Sequence, residues 1–287
     1  MKQHQKNNCI WFTSALFDSA HGSFSLRHGF STKYGGISTD PFLRDLNFGF
    51  GLGEERSVTL ENYRLFAGTL GIDAGHLLCA RQTHTNLVLT VREKDRRLGF
   101  DDEVPHPTGI YENGYDALVT ASPGVALSVR TADCVPILFW DPKNSVIGAA
   151  HAGWRGTLGS IAAETVSSME KLGAERHEIL ACIGSAIGVC CYEVDNAFHD
   201  RFLAVFGNEI CREVFLKSPE YEHPEQYHCD LPALNRKILL NAGLSPARIE
   251  VSDLCTCCTP DLFHSHRYAM RKTGGKRGLM AAMISME

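Results

Sequence analysis

The chain has no run of apolar residues approaching the roughly 20 needed to cross a bilayer. Its start does not resemble a secretion signal. Residues 1–10 are polar, and the apolar stretch at 12–20 is interrupted by serine and aspartate. An excess of basic charge is missing too. With a net charge of −5, there is no broad electropositive footprint of the kind nucleic-acid binding leaves, although local sites for small anions stay open. Internal repeats, low-complexity tracts and Gly/Ser linkers are also lacking. The eleven cysteines are odd in number and unevenly spaced, which argues against a small disulfide scaffold. In a reducing compartment they would be thiols or ligands. These absences predict a cytoplasmic protein that engages neither membrane nor nucleic acid.

What the chain does contain is a regular traffic of strands and helices. Length alone suggests about two domains. No linker divides the sequence, however, and the pattern predicts a single α/β (α+β) domain over residues 1–287, with a mixed β-sheet core flanked by helices. Residues 1–26 are expected to form a peripheral N-terminal segment. Helices are expected at 54–71, 157–172, 195–206 and 230–242, the second capped by Thr157 and ended by Gly173. Strands are expected at 77–80, 87–91, 125–129, 135–140, 146–150, 178–183, 249–251 and 279–284. Between them, 92–115 reads as a long surface loop. The glycine-rich 47–53 segment superficially suggests a phosphate loop, but it lacks the dinucleotide pattern and a feeding strand, so a structural loop is expected.

The chemistry concentrates around Thr131-Ala-Asp-Cys134 and Ala150-His-Ala-Gly-Trp-Arg-Gly156. If the strands at 135–140 and 146–150 pair across the turn Asp141-Pro-Lys-Asn144, Cys134 and His151 lie at the same open end. His84 sits at another strand break. Two imidazoles and one thiolate give zinc three protein ligands and leave a fourth position open. A second reading needs no metal: Cys134 is a nucleophile and His151 its base, oriented by Asp133. The residues alone leave both readings standing. Cys255, Cys257, Cys258, His264 and His266 suggest a second metal cluster, against which stands the simpler expectation of buried thiols in a turn. Cys190 and Cys191 are close enough in sequence for a strained vicinal disulfide. Arg155, Arg130, Arg81 and Arg267 are candidates for anion binding. Arg155 stands out because it lies between glycines before a helix whose N-terminus would favour an anion. Asp133 and Glu193 are candidates for proton transfer.

In order along the chain occur His28-Gly-Phe-Ser-Thr-Lys-Tyr-Gly-Gly36, Leu46-Asn-Phe-Gly49, Gln82-Thr-His84, Thr131-Ala-Asp-Cys134, Ala150-His-Ala-Gly-Trp-Arg-Gly156, Cys190-Cys-Tyr-Glu-Val194 and Asp253-Leu-Cys-Thr256. Together they resemble the laccase-domain, or polyphenol oxidoreductase, family, whose members have also been called peptidoglycan editing factors. The resemblance spans roughly residues 28–284. It implies a zinc-dependent purine nucleoside phosphorylase, acting on adenosine, inosine, guanosine or methylthioadenosine with phosphate, that also deaminates adenosine. It places the metal ligands on His84, Cys134 and His151, with Cys134, His151 and Asp133 as the catalytic group. Arg155, Arg130 and Asn47 are expected to bind substrate or phosphate. Zinc is the expected metal and copper the alternative. The expected partners are purine nucleosides and phosphate, and the expected state is a monomer. Lys33, Thr83, Ser185, Val189 and the Gly275-Lys-Arg-Gly278 ending depart from the family pattern. A metal-free cysteine hydrolase or deamidase acting on peptidoglycan precursors, and a copper-dependent polyphenol oxidase, are the alternatives.

Overall fold

The computed structural model describes residues 1–98, 114–217 and 226–287. In chain order the strands are β1 (Lys2–Lys6), β2 (Cys9–Thr13), β3 (Leu26–Ser31), β4 (Leu77–Cys79), β5 (Val88–Thr90), β6 (Ala117–Thr120), β7 (Ala126–Thr131) and β8 (Val135–Asp141). They continue with β9 (Val146–Ala152), β10 (Leu180–Ile183), β11 (Glu193–Val194), β12 (Phe215–Leu216), β13 (Tyr227–Cys229), β14 (Ile249–Val251) and β15 (Met280–Met286). The α-helices are α1 (Ala15–Ser19), α2 (Arg56–Leu70), α3 (Trp154–Leu158), α4 (Ile161–Glu170), α5 (Asn196–Val214), α6 (Leu231–Asn241) and α7 (His266–Lys272).

The expected mixed sheet is two mixed sheets. One runs β1-β2-β3-β15-β7-β4 and the other β14-β10-β8-β9-β6-β5, with a small β11-β13-β12 sheet beside them. The apolar runs read from the sequence account for this layering. Every residue of β8 and β9 is buried, so both faces must be covered. Side chains alternate across a strand. Leu138, Trp140, Ile147 and Ala149 therefore face into the core between the sheets, with Leu127, Val129, Ala282 and Ile284 of the first sheet. Ile137, Phe139, Val146 and Ala150 turn the other way and pack with Ile161, Val166 and Met169 of α4 and with Leu234, Ile238 and Leu239 of α6. On the far side of the first sheet, Leu77, Ala126 and Met283 pack with Tyr63, Phe66 and Leu70 of α2. The result is four layers, helix–sheet–sheet–helices.

The expectations for the N-terminal segment and for the helices change in detail. The N-terminal segment forms the edge of the first sheet through β1 and β2, and it also reaches inward: β2 pairs with β3, and Phe12 and Phe17 are buried in the core between the sheets. The helix expected over 157–172 is two helices, because Ser160 takes a left-handed conformation at φ 59°. Thr157 is consequently not a cap. It is buried inside α3, where its hydroxyl accepts a hydrogen bond from Asn235 at 3.0 Å. The helix expected over 195–206 starts after Asp195 and ends where expected, at the non-helical Gly207 (φ 73°, ψ 172°), beyond which a second helical stretch of α5 runs on to Val214. Of the loop expected at 92–115, residues 99–113 lie outside the described residues, and Glu93–Leu98 form a 3₁₀ turn. Among the described residues, no helix is long and apolar enough to cross a membrane.

His28 on β3 links the first sheet to the N-terminal segment. Its Nε2 accepts a hydrogen bond from the Ser14 amide at 2.8 Å, and Phe17 meets its ring edge-on. Burial holds its pKa down at about 4, against the pull of Asp18 and Glu250. The ring is thus neutral when folded, whereas in the unfolded chain it takes a proton below about 6.5. Its contribution is complete above that pH and is lost as pH falls toward 4, by up to about 3 kcal/mol. Urea unfolding between pH 7 and 4.5 should show this decline, with a shallower slope for His28→Gln. A wild-type stability flat over that interval would contradict it.

Candidate metal centre

The order β8-β9-β6-β5 in the second sheet assembles the site, because its residues sit at neighbouring strand ends. Cys134 immediately precedes β8, and His151 lies on β9 opposite Pro136. This is the hairpin the apolar runs predict. β6 pairs with β9 through Ala117 and Ala150, so Asp116, one residue earlier, lies beside His151. His84 comes from the segment between β4 and β5.

The ligand atoms of His84, Cys134 and His151 all lie within 4.8 Å of one another, with His84 exposed, Cys134 half-buried and His151 buried. The Cys134 Sγ is 3.8 Å from His84 Nε2. The imidazole rings stand at 85° with centroids 4.9 Å apart. Gly153 presses against all three: an added Cβ would come 2.7 Å from His84 Cδ2, 3.2 Å from Cys134 Sγ and 3.4 Å from His151 Cε1. Only glycine leaves the cluster room at that point.

Asp116, which the sequence reading missed, organises the group. It is fully buried. Its Oδ1 accepts a hydrogen bond from His151 Nδ1 at 2.7 Å, which directs the other ring nitrogen to the ligand cluster. The carboxylate also accepts the amides of Thr83 (3.2 Å), His84 (3.1 Å) and Thr85 (2.6 Å), and the Thr85 hydroxyl (2.8 Å). Three successive amides converging on one anion form a nest, and they hold His84 in its left-handed conformation at φ 62°. Burial alone would raise the Asp116 pKa; the bonds from His151 and Thr85 hold it below the usual carboxylate value.

Burial also opposes a thiolate at Cys134, but the His151 charge and the bonds from both imidazoles hold its pKa down at about 6. His151 is pushed up to about 9, since Cys134 and Asp116 outweigh its burial. Both shifts favour a thiolate beside an imidazolium. One thiolate with two imidazoles suits the borderline-soft zinc ion, whose binding would displace the imidazolium proton.

Two cavities meet at this cluster. One, of about 230 Å³, is lined by Trp154, Tyr192, Ile187 and Leu231, with Arg155 at its wall. The other, of about 390 Å³, is lined by Arg130, Arg277, Gln82 and Phe50. His84, Cys134, Ala132 and His266 border both. Among the described residues, the buried Nε of Arg130 and that of Arg277 each have no hydrogen-bond partner. Gln82 completes the edge of β7 by exchanging hydrogen bonds with the Arg130 backbone (2.7 and 2.8 Å), which fixes that arginine.

The other expected residues are placed differently. Arg155 is exposed with its guanidinium 4.2 Å from the Trp154 ring, and α3 is only five residues long. Asp133 is buried at φ 86°, with its two oxygens accepting from Thr256 Oγ1 and the Arg267 amide, each at 2.6 Å. Its carboxylate thus fastens two loops to the cavity wall. Asn47 borders neither cavity. Its amide bonds Gly49, Glu54 and Leu279, which makes the 47–53 segment a structural loop. Glu193 and Arg267, expected for proton transfer and anion binding, pair with each other, and Arg271 joins them. Arg81 is exposed and outside both cavities. His264 is buried and belongs to none of the ligand groups among the described residues, and Cys190 and Cys191 form no disulfide. Trp154, Tyr192 and Arg277 escaped the sequence reading. Their only signals are position beside Arg155, beside Cys191 and within the atypical Gly275–Gly278 turn.

Residues 27–287 match the sequence model of the multi-copper polyphenol oxidoreductase laccase family, and the chain belongs to that family. It is 36% identical over 261 residues to purine nucleoside phosphorylase YlmD of Bacillus subtilis, covering 90% of this chain and 88% of that protein. It is 33% identical over 238 residues to adenosine deaminase RL5 from an unknown prokaryotic organism, covering 83% and 87%. The crystal structure of YlmD from Geobacillus stearothermophilus superposes with a TM-score of 0.80 at 34% identity, covering 99% of this chain and 98% of that one.

If Asp116 orients His151 and the His84 turn, Asp116→Asn should weaken zinc binding at this centre by roughly 10- to 100-fold. Competition with a chromophoric chelator would read the loss, with circular dichroism confirming the fold. Unchanged affinity in a folded variant would remove Asp116 from the centre.

Proposed function

We propose that the chain is a zinc-dependent purine nucleoside phosphorylase that also deaminates adenosine. The observation that carries this reading is the meeting of an aromatic cavity and an arginine-lined cavity at the His84–Cys134–His151 cluster. Relatives named for phosphorolysis and for adenosine deamination support it. The purine occupies the side of Trp154, Tyr192, Ile187 and Leu231, where aromatic faces and aliphatic groups suit a flat base. Phosphate occupies the side of Arg130 and Arg277, whose guanidinium forks match its oxygens. The ribose then spans the junction, with its anomeric carbon turned toward the phosphate.

For phosphorolysis, a phosphate oxygen bonds to that carbon as its bond to the purine nitrogen breaks, and the base leaves with the bonding electrons. The arginines hold the nucleophile close, so positioning supplies much of the rate. His266 borders both cavities and can deliver the proton that the departing base needs. In deamination, water adds to the purine carbon that carries the amine, and ammonia leaves. A zinc ion held by His84, Cys134 and His151 would supply Lewis-acid charge and acidify water. Asp133, with both oxygens engaged, keeps the 256 and 267 loops against the base site. Arg155 closes the aromatic side by stacking on Trp154.

The metal choice follows from the donor set. Two imidazoles and one thiolate would also suit a single copper. A multicopper oxidase needs a coupled histidine-rich cluster in addition, and among the described residues no second group of histidines is assembled. A second reading has its own observation. Cys134, His151 and Asp116 form a thiolate–imidazolium–carboxylate series, the arrangement of a cysteine hydrolase.

Adenosine incubated with and without phosphate separates the readings. The expected products are adenine with ribose 1-phosphate, only when phosphate is present, together with inosine. Both should vanish in Cys134→Ala along with the metal of this centre. Zinc-loaded protein that turns over no purine nucleoside would sink the proposal, and activity surviving complete metal removal would favour the cysteine hydrolase. Arg277→Ala should raise the KM for phosphate by about 10-fold or more, the cost of a lost charged hydrogen bond, while sparing deamination. An unchanged phosphate KM would place the anion elsewhere.

A further inference from the structure

Cys190 and Cys191 lie in the segment that joins β10 to β11, and Cys255 and Cys258 in the segment after β14. The structure brings these two pairs together. Their four sulfurs all lie within 4.8 Å of one another. Cys258 Sγ is 3.3 Å from Cys190 Sγ and 3.3 Å from Cys191 Sγ. These separations exceed the roughly 2.05 Å of a disulfide. They fall near the edge of a zinc tetrathiolate: four sulfurs at about 2.3 Å from a central ion stand about 3.8 Å apart.

We infer that Cys190, Cys191, Cys255 and Cys258 bind one zinc ion in a closed, structural tetrathiolate site, separate from the His84–Cys134–His151 centre. The ligands divide between two chain segments. Cys255 and Cys258 have the Cys-x₂-Cys spacing of a zinc knuckle, with Cys257 turned into the interior. Packing does not explain the cluster, because Cys190 and Cys258 are exposed and only Cys257 of the 255–258 turn is a buried cysteine. The backbone is also shaped around the sulfurs. The Gly188 amide donates to Cys255 Sγ at 3.2 Å, as suits a thiolate, and a Cβ at Gly188 would lie 3.1 Å from Cys255 Cβ and 3.4 Å from Cys190 Sγ.

The need for a cross-link is visible in what surrounds it. The two segments share one isolated bridge, Ala186 with Cys255, and little regular pairing. Yet they carry part of the wall of the aromatic cavity. Thr256, between two of the ligands, bonds Asp133, and the Cys191 carbonyl accepts from Arg267 at 3.1 Å. A zinc ion would tie both segments to one point, with binding free energy acting as folding free energy.

Zinc per chain, measured by mass spectrometry on protein purified under reducing conditions, tests this directly. Wild type should hold two equivalents, and Cys134→Ala should retain one. Cobalt-exchanged Cys134→Ala should show intense thiolate-to-cobalt charge-transfer bands, and these should disappear on adding Cys190→Ser and Cys258→Ser. Cys190→Ser with Cys258→Ser alone should lose one equivalent and lower the Tm. If those serine variants do not fold, the Cys134→Ala protein still decides, since all four cysteines are intact in it. A Cys134→Ala protein without bound metal after zinc loading, or a disulfide within the four in reduced protein, would overturn the inference. Neither result depends on whether any purine nucleoside is turned over.

Discussion

The site depends on one buried carboxylate. Asp116 accepts three consecutive backbone amides from residues 83–85, a hydroxyl, and the His151 ring, and its own carbonyl accepts the His151 amide at 2.7 Å. A buried carboxylate is tolerable only with such a complement of donors. Because those donors come from the His84 turn and from β9, satisfying the charge also sets the relation between two prospective ligands. Cys134 is held separately, by the β8–β9 register. The metal cluster is thus specified by two independent devices that meet at the open end of one hairpin.

A second carboxylate does comparable work at the opposite wall. Asp133 lies one residue before Cys134 and binds Thr256 and the Arg267 amide, so the loops that enclose the aromatic cavity hang from the strand that delivers the thiolate. Arg267 in turn is neutralised by Glu193. Charges that look available for chemistry in the sequence are consumed in holding the walls. The two arginines with free buried Nε groups, Arg130 and Arg277, are held by backbone carbonyls at their other nitrogens instead. Anion recognition under the phosphorolysis reading falls to guanidinium groups that no carboxylate among the described residues pairs with.

Much of the scaffold could be read from periodicity. The β8–β9 hairpin, α2, α6 and β15 appear within a few residues of their expected places, because unbroken apolar runs and terminal glycines are local signals. The break at Ser160 and the continuation of α5 past Gly207 were not legible. A serine in a left-handed conformation, and a helical stretch that resumes after a non-helical glycine, are settled by tertiary packing, not propensity. The N-terminal segment was legible only in part: β1 is an exposed, polar edge strand, whereas β2 is held by β3 and by Phe12 in the core.

The sequence by itself determined which residues could ligate, since thiols and imidazoles at strand breaks are few and the turn at 141–144 forces Cys134 toward His151. It also determined that both faces of the central strands are covered, because their runs are apolar at every position. Only the tertiary structure decided who stands beside whom across long separations: Asp116 under His84 and His151, Arg130 and Arg277 in the wall of one cavity, and Cys190 and Cys191 against Cys255 and Cys258. The reason is physical. Periodicity reports each residue's exposure to its immediate neighbours, whereas the pairing of a buried charge or a thiol with a donor far along the chain is settled by strand order. Strand order in turn is set when two sheets bury their shared faces together.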